Sequence, residues 1–120
     1  MILVDTSVWV DHLRRRNVAL VEMLEQDRVW THEFVIGELA CGNLAQRGEL
    51  LTSLAALPQV SVAAHEEVLA FVDARRLMGR GLGWIDMHLL AAATVAKIPL
   101  WTSDRRLAAV ATEFGLQSRS

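Results

Sequence analysis

The sequence predicts an α/β sandwich built on a mostly parallel sheet, and three observations carry the prediction. Short apolar runs that suit strands, such as MILV (1–4) and VWTH (29–32), alternate with longer stretches of helical periodicity. MILV is apolar throughout, as a strand buried on both faces of a parallel sheet must be. Two acids, Asp5 and Asp104, stand just past the ends of predicted strands, where ligands gather in such sheets.

Taken in order, residues 1–4 form the first strand, and Thr6 or Ser7 offers an N-cap for a helix over 8–14. A second helix runs over 17–25, with Ala19, Leu20, Met23 and Leu24 on one face. VWTH (29–32) is the second strand, followed by helices over 33–43 and 46–56, the latter ended by Pro58. VSVA (60–63) reads as a third strand and 64–78 as a long helix bearing Val68, Leu69, Phe71 and Val72. RGLG (80–83) breaks the pattern before a strongly apolar helix over 85–96. LWTS (100–103) is then a short strand, and a last helix over 104–113 ends at Gly115, suited to the C′ position.

Composition narrows the function classes. The chain has 120 residues, enough for one domain with a genuine core, and no linker, repeat or low-complexity segment divides it. It is 52% hydrophobic with a mean hydropathy of +0.28, so it buries an unusually full core or presents apolar surface to a partner. Charged residues interrupt every apolar run, and MILVDTS lacks the basic-then-apolar pattern of a leader, so a cytoplasmic protein without a membrane span is expected. Cys41 is the only cysteine, which excludes an intramolecular disulfide and a cysteine-based zinc site. The net charge of −2 excludes a strongly basic nucleic-acid binder, although eleven of the twelve cations are Arg.

Four carboxylates stand where apolar neighbours predominate: Asp5 in MILVDTSVW, Glu38 in FVIGELACG, Asp86 in GLGWIDMHLLAAA and Asp104 in PLWTSDRRL. Carboxylates are rarely buried unless they are paired or bound to a metal. Each also has an ordinary reading: Glu38 at the edge of a helical stripe, Asp86 as a helix-start acid, Asp104 as an N-cap. Together they make a set suited to a hard divalent cation, and the chain reads as a small metal-dependent nuclease. Thr6, Ser7, Thr102 and Ser103 are short hydroxyls that can orient the acids from an outer shell.

These pieces in this order resemble the PIN domain, specifically the VapC-type ribonuclease toxins of bacterial type II toxin–antitoxin systems. The resemblance rests on DTSVW after the opening strand, FVIGELACGNL, GLGWIDMHLLAAA and LWTSDRRLAAVA, and it spans essentially the whole chain as a single PIN-like domain over 1–120. It implies a three-layer α/β/α sandwich and a Mg²⁺- or Mn²⁺-dependent endoribonuclease that cuts a structured RNA of the tRNA or rRNA type and inhibits translation. It further implies neutralisation by a cognate VapB-type antitoxin, and a homodimer. The acidic positions of the family carry over to Asp5, Glu38, Asp86 and Asp104, with Asp5, Asp86 and Asp104 as metal ligands, and its hydroxyl positions to Thr6 and Thr102.

Three cations are candidates for RNA phosphate. They are Arg80 in the loop before Asp86, Arg14 in a basic run at the end of the first helix near the Asp5 edge, and Arg105 directly after Asp104. The competing reading of the Arg14 run is a solvated helix end. His12, His32, His65 and His88 lack zinc spacing, Cys41 is expected as a small buried hydrophobe, and the tryptophans are mostly core, with Trp9 and Trp84 close enough to acids to wall a cleft. A dehalogenase-like phosphohydrolase is disfavoured because Ser7 occupies the place of its second Asp, and a receiver domain because LWTSD carries no Lys. The non-enzymatic alternative is a scaffold whose acid pocket accepts a partner's Arg or binds RNA without cutting it.

Overall fold

The computed structural model describes residues 1–118, and its strands meet in one parallel sheet whose middle is the N-terminal strand. β1 (Ile2–Val4) pairs with β2 (Val29–Trp30) on one side and with β3 (Leu100–Trp101) on the other. All three β1 side chains are buried, as the unbroken apolar run requires. The helices are α1 (Thr6–Arg14), α2 (Val18–Glu25), α3 (Glu33–Ala40), α4 (Arg47–Ala55), α5 (His65–Arg75), α6 (Trp84–Ala96) and α7 (Arg105–Glu113). With α2 packed on β2 and α6 and α7 on β3, the architecture is the expected α/β sandwich.

The core runs through α6. From Met87 to Ala93 every residue of that helix is buried, and all but His88 are apolar, so this stretch sits inside the molecule. Leu89 and Leu90 are fully buried there, as are Leu3, Leu20, Leu77 and Leu107 on the elements around it. α7, by contrast, buries one stripe of Leu107, Val110 and Ala111 and leaves Arg105 and Arg106 in water.

Several boundaries differ from the sequence expectation. Helix α1 starts at Thr6 because Asp5 itself caps it, its carboxylate accepting the Ser7 N–H. Asn17 and Asp104 cap α2 and α7 in the same way, through Leu20 N–H and Leu107 N–H. VSVA forms no strand. Only Gln59 bridges Thr31, through Thr31 N–H to the Pro58 carbonyl and Val60 N–H to the Thr31 carbonyl, both at 2.9 Å. Val60 turns inward while Ser61 and Val62 stay exposed, and Ala63, although partly buried, pairs with no strand among the described residues.

His32 leaves the expected second strand to cap α3, its Nδ1 accepting the Phe34 N–H at 2.9 Å. Helix α3 stops at Ala40, before Gly42 and Asn43, and Cys41 is exposed rather than buried. Helix α5 stops at Arg75, since Arg76 takes a left-handed conformation that brings Leu77 back into the core. Gly115, at φ +71, occupies the C′ position after α7 as its sequence suggests.

Candidate active site

The parallel register delivers Asp5 and Thr102 side by side. Val4 pairs with Trp101, so the next residue of each strand emerges at the carboxyl edge of the sheet, and Asp5 N–H donates to the Trp101 carbonyl at 2.9 Å. Asp5 is only 5% exposed. Its Oδ2 accepts from Ser7 Oγ at 2.6 Å, from Thr102 Oγ1 at 2.8 Å and, weakly, from Ser7 N–H at 3.4 Å. Among the described residues nothing donates to Oδ1, which leaves that oxygen available to a ligand.

The hydroxyls also fix the loop that carries Asp104. Ser7 Oγ accepts from Ser103 N–H at 2.9 Å, and Thr102 Oγ1 accepts from Asp104 N–H at 3.0 Å. Each hydroxyl thus spends its single proton on Asp5 and its lone pairs on the 102–104 backbone. Asp104 in turn accepts from Leu107 N–H through Oδ1 at 2.9 Å. Ser103 Oγ donates to Asp11 Oδ2 at 2.7 Å, an anchor that the sequence reading missed. Its signal was the spacing: Asp11 lies one helical turn after Ser7 on α1.

Asp86 and Glu38 enter from the other two elements. Half-buried Asp86, in the first turn of α6, accepts from Gly83 N–H at 2.9 Å. Burial raises its pKa against that hydrogen bond, and the negative charges of Asp5 and Asp104 raise it further. The three aspartates therefore lie in one another's field. Glu38 is exposed on α3 rather than buried, and its Oε1 accepts from Thr6 Oγ1 at 2.6 Å, which ties it to the residue beside Asp5.

A divalent cation fits this donor set by chemistry: carboxylate oxygens from three separate elements, with backbone and hydroxyl donors steadying each one. Among the described residues no three His, Cys, Asp or Glu side chains are grouped closely enough to hold an ion as they stand.

The structure takes two of the three candidate cations, Arg80 and Arg14, away from the acids. Arg80 forms a two-pronged ion pair with Glu113, one prong at 2.8 Å, at the opposite end of α7 from Asp104. Arg14 ends α1, roughly 13 Å along the helix from Asp5, and lines a separate shallow cleft with Leu13 and Leu44. This corrects the placement of the Arg14 run near the Asp5 edge. Arg105 is exposed in the first turn of α7, directly after Asp104.

Beneath the site lies a buried pair of imidazoles. His32 is fully buried and His88 is 3% exposed, with ring centroids 6.1 Å apart. His32 uses Nδ1 as an acceptor, so its proton sits on Nε2, which has no partner. Burial first, and His88 second, bring the His32 pKa down to about 4. Folding therefore favours neutral His32, while the unfolded chain takes up a proton near the ordinary 6.5. The contribution is complete above pH 6.5 and declines as the pH falls to about 4, by at most about 3 kcal/mol. Urea unfolding at pH 7 and pH 4.5 is expected to show this loss, and His32→Asn, which keeps a capping oxygen but cannot titrate, is expected to reduce it. An unchanged loss in that variant would place the effect elsewhere.

Comparison with known proteins bears on the family and the fold. A family model described as PIN domain matches residues 2–113. Ribonuclease VapC32 of Mycobacterium tuberculosis (strain CDC 1551 / Oshkosh) is 50% identical over 117 residues, covering 97% of this chain and 94% of that protein. Its counterpart in strain ATCC 25618 / H37Rv gives the same figures. Among solved structures, PAE2754 from Pyrobaculum aerophilum aligns with a TM-score of 0.63 at 17% identity, covering 97% of this chain and 90% of that one. At such low identity this last likeness concerns the fold alone.

Proposed function

The chain belongs to the PIN-domain family, and on that premise we propose that it is a metal-dependent endoribonuclease toxin of the VapC type. One observation carries the reading. Asp5 and Asp104 follow the ends of two neighbouring parallel strands, and Asp86, in the first turn of α6, lies close enough that their charges raise its pKa. The 50% identity to a protein named as a ribonuclease supports RNA as the substrate. In this reading Asp5, Asp86 and Asp104 hold a Mg²⁺ or Mn²⁺ ion, and Glu38 completes the catalytic set.

When bound, the ion supplies Lewis acidity toward the scissile phosphate and lowers the pKa of a water. The residues of the chain do the rest. Ser7 and Thr102 hold Asp5 by Oδ2 so that Oδ1 points free, and the same two hydroxyls hold the backbone of Ser103 and Asp104. Thr6 holds Glu38 by one oxygen, leaving the other to orient a water and receive its proton. Arg105, beside Asp104, is the best placed of the three cations for substrate phosphate. The cut RNA is a structured tRNA or rRNA, its cleavage stops translation in the cytoplasm, the toxin is a homodimer, and a VapB-type antitoxin neutralises it.

The test is incubation of the purified chain with total cellular RNA and Mg²⁺ or Mn²⁺, with EDTA as control, followed by mapping of new 5′ ends. Discrete cuts that appear with metal and vanish with EDTA are expected. Binding of RNA without any cut under either metal would favour the scaffold reading instead.

A further inference from the structure

We propose that the cleft between α3 and the start of α6 is a nucleobase subsite, where an unpaired base of the RNA stacks on the Trp84 indole. The proposal rests on the ribonuclease reading and gives that site a place for a base beside the cut. The cleft is a depression open to solvent, with a volume of about 460 Å³. Its walls, Phe34, Gly37, Cys41, Trp84 and Ile85, present almost only carbon, while Glu33 and Glu38 form the rim. Glu38 lines this cleft and is bonded to Thr6, the residue beside Asp5, so the cleft adjoins the candidate site through that carboxylate.

The chemistry of the lining selects the occupant. No Arg or Lys lines the cleft, so a phosphate meets carboxylates and no counter-charge. A base offers apolar faces to the walls and N–H groups at its edge to the carboxylates. Trp84 remains 38% exposed although the core beside it is full. Its ring is braced by His65 at 5.0 Å and edge-on by His88 at 4.9 Å, and His88 is itself locked against Phe34 at 4.7 Å. A platform fixed in this way loses little freedom on binding. Opposite it, nothing stands within 4 Å of the position a Gly37 Cβ would take, so the space is open.

Binding of labelled octa-adenylate, and of an abasic ribose–phosphate chain of equal length, to the Asp5→Asn protein separates the contributions of base and backbone. Trp84→Leu, which removes the stacking face, and Gly37→Leu, which fills the cleft from a solvent-facing helix position, are each expected to weaken octa-adenylate binding roughly ten-fold. Neither is expected to change binding of the abasic chain, and Trp84→Phe is expected to restore most of the loss. Variants that bind octa-adenylate like their parent, a parent that binds both chains equally, or a parent that binds neither would each overturn the subsite. Loss of a protein partner in both Leu variants, with oligonucleotide binding intact, would overturn it in favour of a peptide groove. The two readings fail separately. Trp84-dependent base binding in a wild-type chain that never cuts RNA would keep the subsite and end the nuclease reading, and cutting without Trp84 dependence would do the reverse.

Discussion

Asp5→Asn is expected to slow metal-dependent RNA cleavage by more than about 100-fold while leaving the protein at least as stable as before. The activity estimate follows from position. Loss of a group that only orients a metal ligand typically costs about 10–100-fold, and Asp5 is itself the ligand in the proposed site. The stability estimate follows from the local geometry. Asn is as good an N-cap as Asp, and its amide oxygen can still accept from Ser7 and Thr102, the two donors that now hold Oδ2. Removing one negative charge also relieves Asp86, whose pKa Asp5 helps to raise. A small gain in stability, below about 1 kcal/mol, is therefore the expected direction. Single-turnover cleavage and urea unfolding of the same preparations measure both halves. A variant that cuts RNA within a few-fold of wild type would remove Asp5 from the proposed metal set.

That combination is informative because the acids are legible in the sequence together with the hydroxyls that hold Asp5 and Glu38, whereas the charged contacts of the neighbouring segments are not. Asp5 and Asp104 stood out because strand ends in a parallel sheet share one edge, and the register of β1 with β3 places Asp5 beside Thr102. Asp86 is legible only as one of the set of four, since a carboxylate in the first turn of a helix is ordinary on its own and here does accept from Gly83 N–H. What spacing does not carry is the direction of a long side chain. Arg80 reads as a substrate cation from its place before Asp86, yet its guanidinium reaches Glu113, which lies 33 residues later in the chain. Asp11 reads as a surface acid until the Ser103 loop is seen above it.

The misplaced elements have a common cause. VSVA has strand composition, but a strand needs a neighbour along its whole length, and among the described residues the only bridge here joins Gln59 to Thr31, just past β2. His32 was assigned to a strand because it follows one. Its imidazole is instead the acceptor that starts α3, a role seldom filled by His. Cys41 was expected inside because its helix was expected to continue. With α3 ending at Ala40, the thiol faces the cleft instead. In each case local propensity was right about the residue and silent about the tertiary partner that decided its setting.

The largest stability effect is expected from Leu89→Ala, and its size follows from where α6 sits. Leu89 is fully buried in a helix with no solvent face over seven successive residues, so the neighbours cannot collapse onto the space left behind. Leu→Ala changes at such positions cost about 3–5 kcal/mol, a large part of the roughly 5–15 kcal/mol that holds a domain together. The urea midpoint is therefore expected to fall by about 1–3 M with an unchanged slope. Val95→Ala, on the same helix but 78% exposed, is expected to shift stability by less than about 0.5 kcal/mol. The pair separates helix propensity from burial, because both changes place Ala in α6, where propensity alone favours it. Equal effects would mean that α6 is held by its own helical preference. A difference near 3 kcal/mol would instead trace the position of Asp86 to the packing of the helix that carries it.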